Sequence, residues 1–325
     1  MTDSIWYWIR LSRSGPIGNL ENGSEAARIY RAALQQFEEL MKASESTGPS
    51  SRPLTLFYAL SQAGRAICAA HGVSHPRGHG LTLDPNPGEL FSSTVRPSKH
   101  TPTGQFQAVA NAVGSPSPSG PVELGALMAS LPELCDELMQ SADWARALPV
   151  WPVDWEEYHV RNPEWIPALV VFGEEITISS DVIRDLKRYP TAQSRAQLSR
   201  VEAEQLPEMP RTPTPDGMGV RVYWRDEGRG LDSVFPEYRF RNNRWLRPAV
   251  EAESPPPTPI AAWWLLLFGL SVLARYHPVL WVYSLDPDES PLAVPLERAM
   301  DEAIRAVPHL VLEALIGRPV VLPPR

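Results

Sequence analysis

Residues 260–274 (IAAWWLLLFGLSVLA) form a fifteen-residue apolar run broken only by Gly269 and Ser271, preceded by Pro255, Pro256, Pro257 and Pro259 and followed by Arg275-Tyr-His-Pro278. No other stretch restricts the fold so tightly. A helix that is apolar all round needs neighbours all round, so this segment is predicted to be a central core helix with other elements packed against it. It is shorter than the roughly 20 apolar residues that a membrane span requires, so no membrane partner is expected. Residues 1–14 lack a basic start followed by an apolar stretch, which argues against a signal peptide and for a cytoplasmic setting.

The rest of the chain supplies candidates for those neighbours. Residues 24–43 repeat apolar side chains at three-and-four spacing, with Ser24 as the N-cap. A second helix is predicted from Pro53 to His71, where Gly64 permits a close crossing. Residues 72–120 are rich in Gly, Pro, Ser and Thr and are predicted to be loop with short extended pieces. Val122–Ala147 is predicted to be helical with a kink at Pro132, and 151–165 irregular. The period then changes from helical to two. Ala168–Phe172 and Glu175–Ile178 are predicted strands, with a short helix over Ser180–Tyr189. Residues 220–224 (VRVYW) and 238–241 (YRFR) alternate aromatic or apolar residues with arginine, as a half-buried antiparallel pair does. After the proline-rich linker come Ile260–Arg275, Leu292–Ala306 and a short helix over His309–Ile316.

At 325 residues the chain has room for two domains. The order of elements predicts an α+β fold, predominantly α-helical, with a small antiparallel sheet in the middle region. The expected regions are 1–149 (helices and a long Gly/Pro-rich loop), 150–254 (sheet) and 255–325 (helices returning onto the first region).

Four segments in order carry a family resemblance: 53–70 (PLTLFYALSQAGRAICAA), Gly78-His-Gly-Leu81, 122–132 (VELGALMASLP) and 263–281 (WWLLLFGLSVLARYHPVLW). Together they resemble the YaaC-like family over most of the chain, with a looser match over 150–250. The resemblance implies a coherent fold and an intracellular bacterial setting, and it carries no assigned chemistry.

Composition narrows the function classes. The formal net charge is −8, so any contact with a polyanion must be local. Two cysteines, Cys68 and Cys135, are too few for a disulfide framework, and Cys68 within a helix reads as an inert buried thiol. No HExxH, GxSxG, CxxC or P-loop motif occurs. Glu156, Glu157 and His159 lie together but lack a second anchoring segment.

The densest group of unusual residues is His71-Gly-Val-Ser-His75-Pro-Arg77-Gly-His79-Gly80. Its glycines and proline break the helix that would align the histidines for a metal, so no metal or cofactor is expected. Arg77, Gly78 and Gly80, together with Arg275 and His277 from the end of the apolar helix, are candidate ligand-binding residues for an anion. A loose Arg-x5-His pattern at Arg65 and His71 matches that of HEPN-type ribonucleases, though arginine is abundant enough for chance to supply it. Arg65, His71 and His79 are therefore candidate catalytic residues of a metal-independent RNA-cleaving enzyme. Packing and helix-end capping are the favoured account of His71, which falls on the apolar stripe of its helix. Residues 217–247 hold seven arginines against four acids, a local balance of +3, interleaved with aromatics. Arg221, Arg239, Arg241 and Arg244 are candidate nucleic-acid contacts, although a solvated strand shows the same pattern. The reading favoured by these residues is a binding or assembly role with a nucleotide or nucleic-acid ligand, a second copy of the chain being a further candidate partner. An RNA-cleaving enzyme is the alternative.

Overall fold

The computed structural model describes residues 2–15, 20–100, 103–135, 144–152, 165–171, 188–190, 211–214, 217–225, 239–240, 243–251, 254–318 and 320. The fold is predominantly α-helical with small antiparallel sheets. It forms two compact units, one of residues 1–128, 136–142 and 257–320, the other of residues 129–135, 143–256 and 321–325.

The first unit is built around α6 (Pro259–Tyr276), the helix of the apolar run. Among the described residues it alone is long and apolar enough to cross a membrane, yet 72% of it is buried inside the protein. Its neighbours include α3 (Arg52–Ala70), which packs on α2 (Glu25–Ser46), and α8 (Ala293–Ile316). Ser24 caps α2 by accepting from Ala27 N at 3.1 Å. The α2 stripe Tyr30, Ala33, Leu34, Phe37 and Met41 is buried, as its spacing demands. Gly64 of α3 lies under the Trp264 ring, where a Cβ would stand 2.5 Å from the indole, so only glycine allows the two helices to approach. Phe57 meets Trp264 edge-on at a ring-centroid distance of 6.1 Å and Phe268 at 5.5 Å, the tilted geometry that aromatic pairs prefer. The helix α1 (Thr2–Ser14) leads the chain. α7 (Pro278–Ser284) follows α6 and buries Trp281, whose Nε1 donates to Ser50 O.

Several expectations are corrected. The stretch 72–120 is loop with short extended pieces as expected, but adds a helix. It contains β1 (Leu81–Asp84), a 3-10 turn at Leu90–Ser92, β2 (Thr94–Pro97) and α4 (Gln105–Ala112), and β1, β2 and β3 (Val122–Glu123) form an antiparallel sheet. Among the described residues, the helix predicted over 122–147 is α5 (Leu124–Ser130), residues 136–143 lying outside them. It ends before Leu131-Pro132 because a residue preceding proline is driven out of helical geometry. The two helices predicted after residue 292 are one, running through Pro308, since buried Ala303, Val307, Leu310 and Val311 keep the same face packed on both sides of the proline.

The second unit holds a six-stranded antiparallel sheet in the order β6-β7-β5-β4-β9-β8, formed by Arg211–Thr214, Gly217–Arg225, Trp165–Val171, Leu148–Pro152, Asn243–Leu246 and Arg239–Phe240 respectively. The strands at 220–224 and 238–241 do not pair with each other as expected. β7 lies between β6 and β5, while β8 pairs with β9. Alternation fixes which face a strand buries, not which strand it meets. The strand expected at 175–178, almost all of the helix at 180–189, and residues 156–159 lie outside the described residues. Arg247 is fully buried, donates from Nε to Ser130 O at 3.0 Å, and is pushed down to about 10 by that burial despite the opposing charge of Glu133.

Candidate functional site

Along α3, Tyr58 and Arg65 are seven residues apart, two helical turns or about 10 Å, and both face outward. The histidine-rich turn leaves the end of α3 and doubles back along this exposed stripe. His71 caps the helix, with its N–H donating to Ile67 O. Val73 N donates to Cys68 O at 2.8 Å and reverses the chain. His75 then stands beside Arg65, and the His79 ring packs 5.1 Å from Phe57 and 5.8 Å from Phe268. The turn therefore meets α6, and Arg275 at the end of that helix lies within electrostatic reach of His79.

The turn is held from behind by α4. Gln105 N and Phe106 N, the first amides of that helix, donate to Gly78 O and His79 O, and Gln107 Nε2 donates to Gly80 O. Gly80 has φ +77°, and its backbone touches Gly104 so closely that a Cβ on either residue would collide with the other. Buried Gly80 thus serves the backbone approach, and Gly78 supplies a helix-capping carbonyl. Arg77, the residue before Gly78, is exposed. His277 links α6 to α7, donating its N–H to Leu273 O and accepting from Trp281 N.

The electrostatics of this face are one-signed. Burial, and next the charge of Arg65, push His75 down to about 4. Burial and then Arg275 lower His79, against a hydrogen bond with Gln105, whose Oε1 accepts from Ser61 Oγ at 2.9 Å. Both imidazoles are therefore neutral at pH 7. His75 Nε2 and His79 Nδ1 are shut off from solvent and find no hydrogen-bond partner among the described residues. Arg275 donates to the Tyr58 hydroxyl. Its guanidinium carbon lies 5.2 Å from the Tyr58 ring centre and 5.5 Å from that of Tyr276, within the range of a cation–π contact. Among the described residues neither Arg65, Arg77 nor Arg275 is paired with a carboxylate.

Arg65 and His71, joined by spacing in the sequence, look in different directions. Arg65 neighbours His75, whereas His71 Nε2 donates to Ala314 O of α8 at 2.8 Å. In the sheet unit Arg221 is in β7 opposite Leu169, and Arg239 is directly opposite Arg244. β5 and β4 separate these two groups. Arg241 lies outside the described residues. Cys68 is buried and its thiol is pushed up to about 11 by desolvation. Among the described residues no group of three His, Cys, Asp or Glu side chains could hold a metal ion.

Tyr58 and Gln105 are members of this site that the sequence did not single out, and His75 and Tyr276 stood out only as parts of their runs. The seven-residue interval from Tyr58 to Arg65 was the available signal. Among comparisons with known proteins, a family model described as YaaC-like Protein matches residues 14–315. No curated protein and no solved structure matches the chain.

Proposed function

The chain belongs to the YaaC-like family, and from the geometry of the α3–turn–α6 face we propose that it binds a phosphate-bearing ligand, a nucleotide or nucleic acid. One observation carries the reading: Arg65 and Arg275 each stand beside a histidine kept neutral, with no carboxylate among the described residues to satisfy either guanidinium. Such cations present ready donors to phosphate oxygens. Tyr58 and Tyr276 are both exposed and flank Arg275. They offer ring faces to a base, which favours a nucleotide over a bare anion.

Binding is favoured over cleavage by the state of the histidines. General acid–base work needs an imidazole nitrogen open to the substrate. The unpartnered nitrogens of His75 and His79 are enclosed, and His71 Nε2 is engaged by α8.

Anisotropy titration of a labelled oligouridylate into the full chain in EDTA tests this. The expected result is saturable binding that weakens between 50 and 200 mM salt, with a loss of about tenfold, or 1.4 kcal/mol, in Arg275→Ala. Absence of binding, or affinity indifferent to both salt and Arg275→Ala, would overturn the proposal. Oligonucleotide cleavage abolished by His79→Gln would overturn the preference for a non-enzymatic role.

A further inference from the structure

α1 carries more apolar surface than the helical core covers. Ile5, Trp6 and Ile9 are buried, while Tyr7 (57% exposed), Trp8 (53%) and Leu11 (44%) make a second apolar stripe at helical spacing. A helix with two apolar faces requires two sets of neighbours. Facing Trp8 and Leu11 are Leu312 and Ile316, from the end of α8, with Val320 beyond them, and together they enclose a cleft of about 620 Å³. This lies within the roughly 300–1,000 Å³ characteristic of small-molecule sites.

The polar character of the cleft is concentrated at one place. Ser12 Oγ donates to Ile9 O and accepts from the Tyr30 hydroxyl, and Ser14 Oγ donates to Leu11 O, so neither hydroxyl proton is left for a ligand. Arg318, just past the left-handed Gly317 that ends α8, lines the cleft and is exposed. Among the described residues no carboxylate pairs with it. Of the acids on neighbouring elements, Glu313 accepts from Val320 N, and Glu38 is held by Arg10, Arg13 and Lys42. An apolar slot ending in one unneutralised guanidinium is complementary to a long hydrocarbon tail carrying an anionic head.

We infer that the α1–α8 cleft binds an amphipathic carboxylate of the fatty-acid class, with the chain between Trp8, Leu11, Leu312 and Ile316 and the carboxylate on Arg318. A planar guanidinium suits a carboxylate in two-point contact. The assignment is independent of the phosphate reading, since it uses none of the same residues.

Calorimetric titration of the full chain with octanoate, decanoate, dodecanoate and dodecanol tests it. Each added methylene contributes about 0.8 kcal/mol when buried, so affinity should rise about fourfold per methylene until the cleft is filled. Dodecanol should bind about tenfold more weakly than dodecanoate, and Arg318→Ala should remove that difference. Ile316→Trp, which fills the cleft, should abolish binding. Leu11→Trp, on an exposed position, does the same if the first variant fails to fold. Affinity independent of chain length, or undiminished in a folded filling variant, would overturn the site. Equal affinity for dodecanol and dodecanoate would overturn its assignment to a carboxylate.

Discussion

The helical unit contains two gatherings of basic side chains, and they are arranged for opposite ends. Around Glu38 of α2, Arg10 donates at 2.6 Å, Lys42 at 2.8 Å and Arg13 at 3.3 Å, and the carboxylate is only 8% exposed. Burial alone would raise the Glu38 pKa, but hydrogen bonds from Arg10 and Lys42 outweigh it and hold the carboxyl below its usual range. Along α3 and the end of α6, Arg65 and Arg275 gather beside His75 and His79 with no acid among the described residues there. Here the positive charge is balanced by making the histidines neutral. The first arrangement is complete within the chain and belongs to stability. The second leaves donors unspent and suits a ligand that brings its own negative charge.

That contrast can be broken at several points. The largest effect is expected from Glu38→Gln, which leaves three cations facing one another and should cost about 2 kcal/mol in denaturant unfolding while leaving oligonucleotide affinity intact. If affinity fell in step with stability, the separation between the two clusters would be lost. Arg65→Ala and Arg275→Ala should do the reverse, weakening the oligonucleotide about tenfold each with unfolding free energy changed by no more than about 0.5 kcal/mol.

Acid should act on the two clusters through different groups. The folded-state pKa values of His75 and His79 are depressed, so the unfolded chain binds more protons below its ordinary histidine value of 6.5. Stability is then complete above pH 6.5 and declines as pH falls toward about 4, the value for His75. Glu38, also depressed, adds a further loss only as pH falls below 4.5 and through its folded value. A bound phosphate favours the charged imidazoles and raises their folded-state pKa values toward 6.5, so oligonucleotide should make the first decline shallower and leave the second in place. Thermal unfolding across pH 3.5–8 with and without oligonucleotide would reveal a failure of this pattern as a common shift. The smallest effect belongs to His71→Ala, which removes the bond to Ala314 O and should cost about 0.5 kcal/mol. A tenfold change in oligonucleotide affinity in that variant would place His71 in the binding face after all.

The long helices were legible in the sequence because the pattern that forms them is local. Ser24 caps α2, Gly64 marks the crossing under Trp264, and the apolar run is the core helix. α4 escaped because so short a helix carries little pattern and its first amides are satisfied by Gly78 O and His79 O, carbonyls well before it in the chain. The strand partners escaped because alternation carries no information about order. At the candidate site the chemistry-bearing turn and Arg275 were visible as composition. The partner of Arg65 was not: spacing linked it to His71, and folding set it beside His75.

What this sequence settled unaided is where apolar faces repeat and which residues can end, cap or closely approach a helix, because these depend on side-chain period and backbone sterics over a few residues. Which charges remain unanswered was decided only when the turn folded back along α3. Desolvation and Coulomb interactions depend on distance through space, and no interval along the chain encodes that distance.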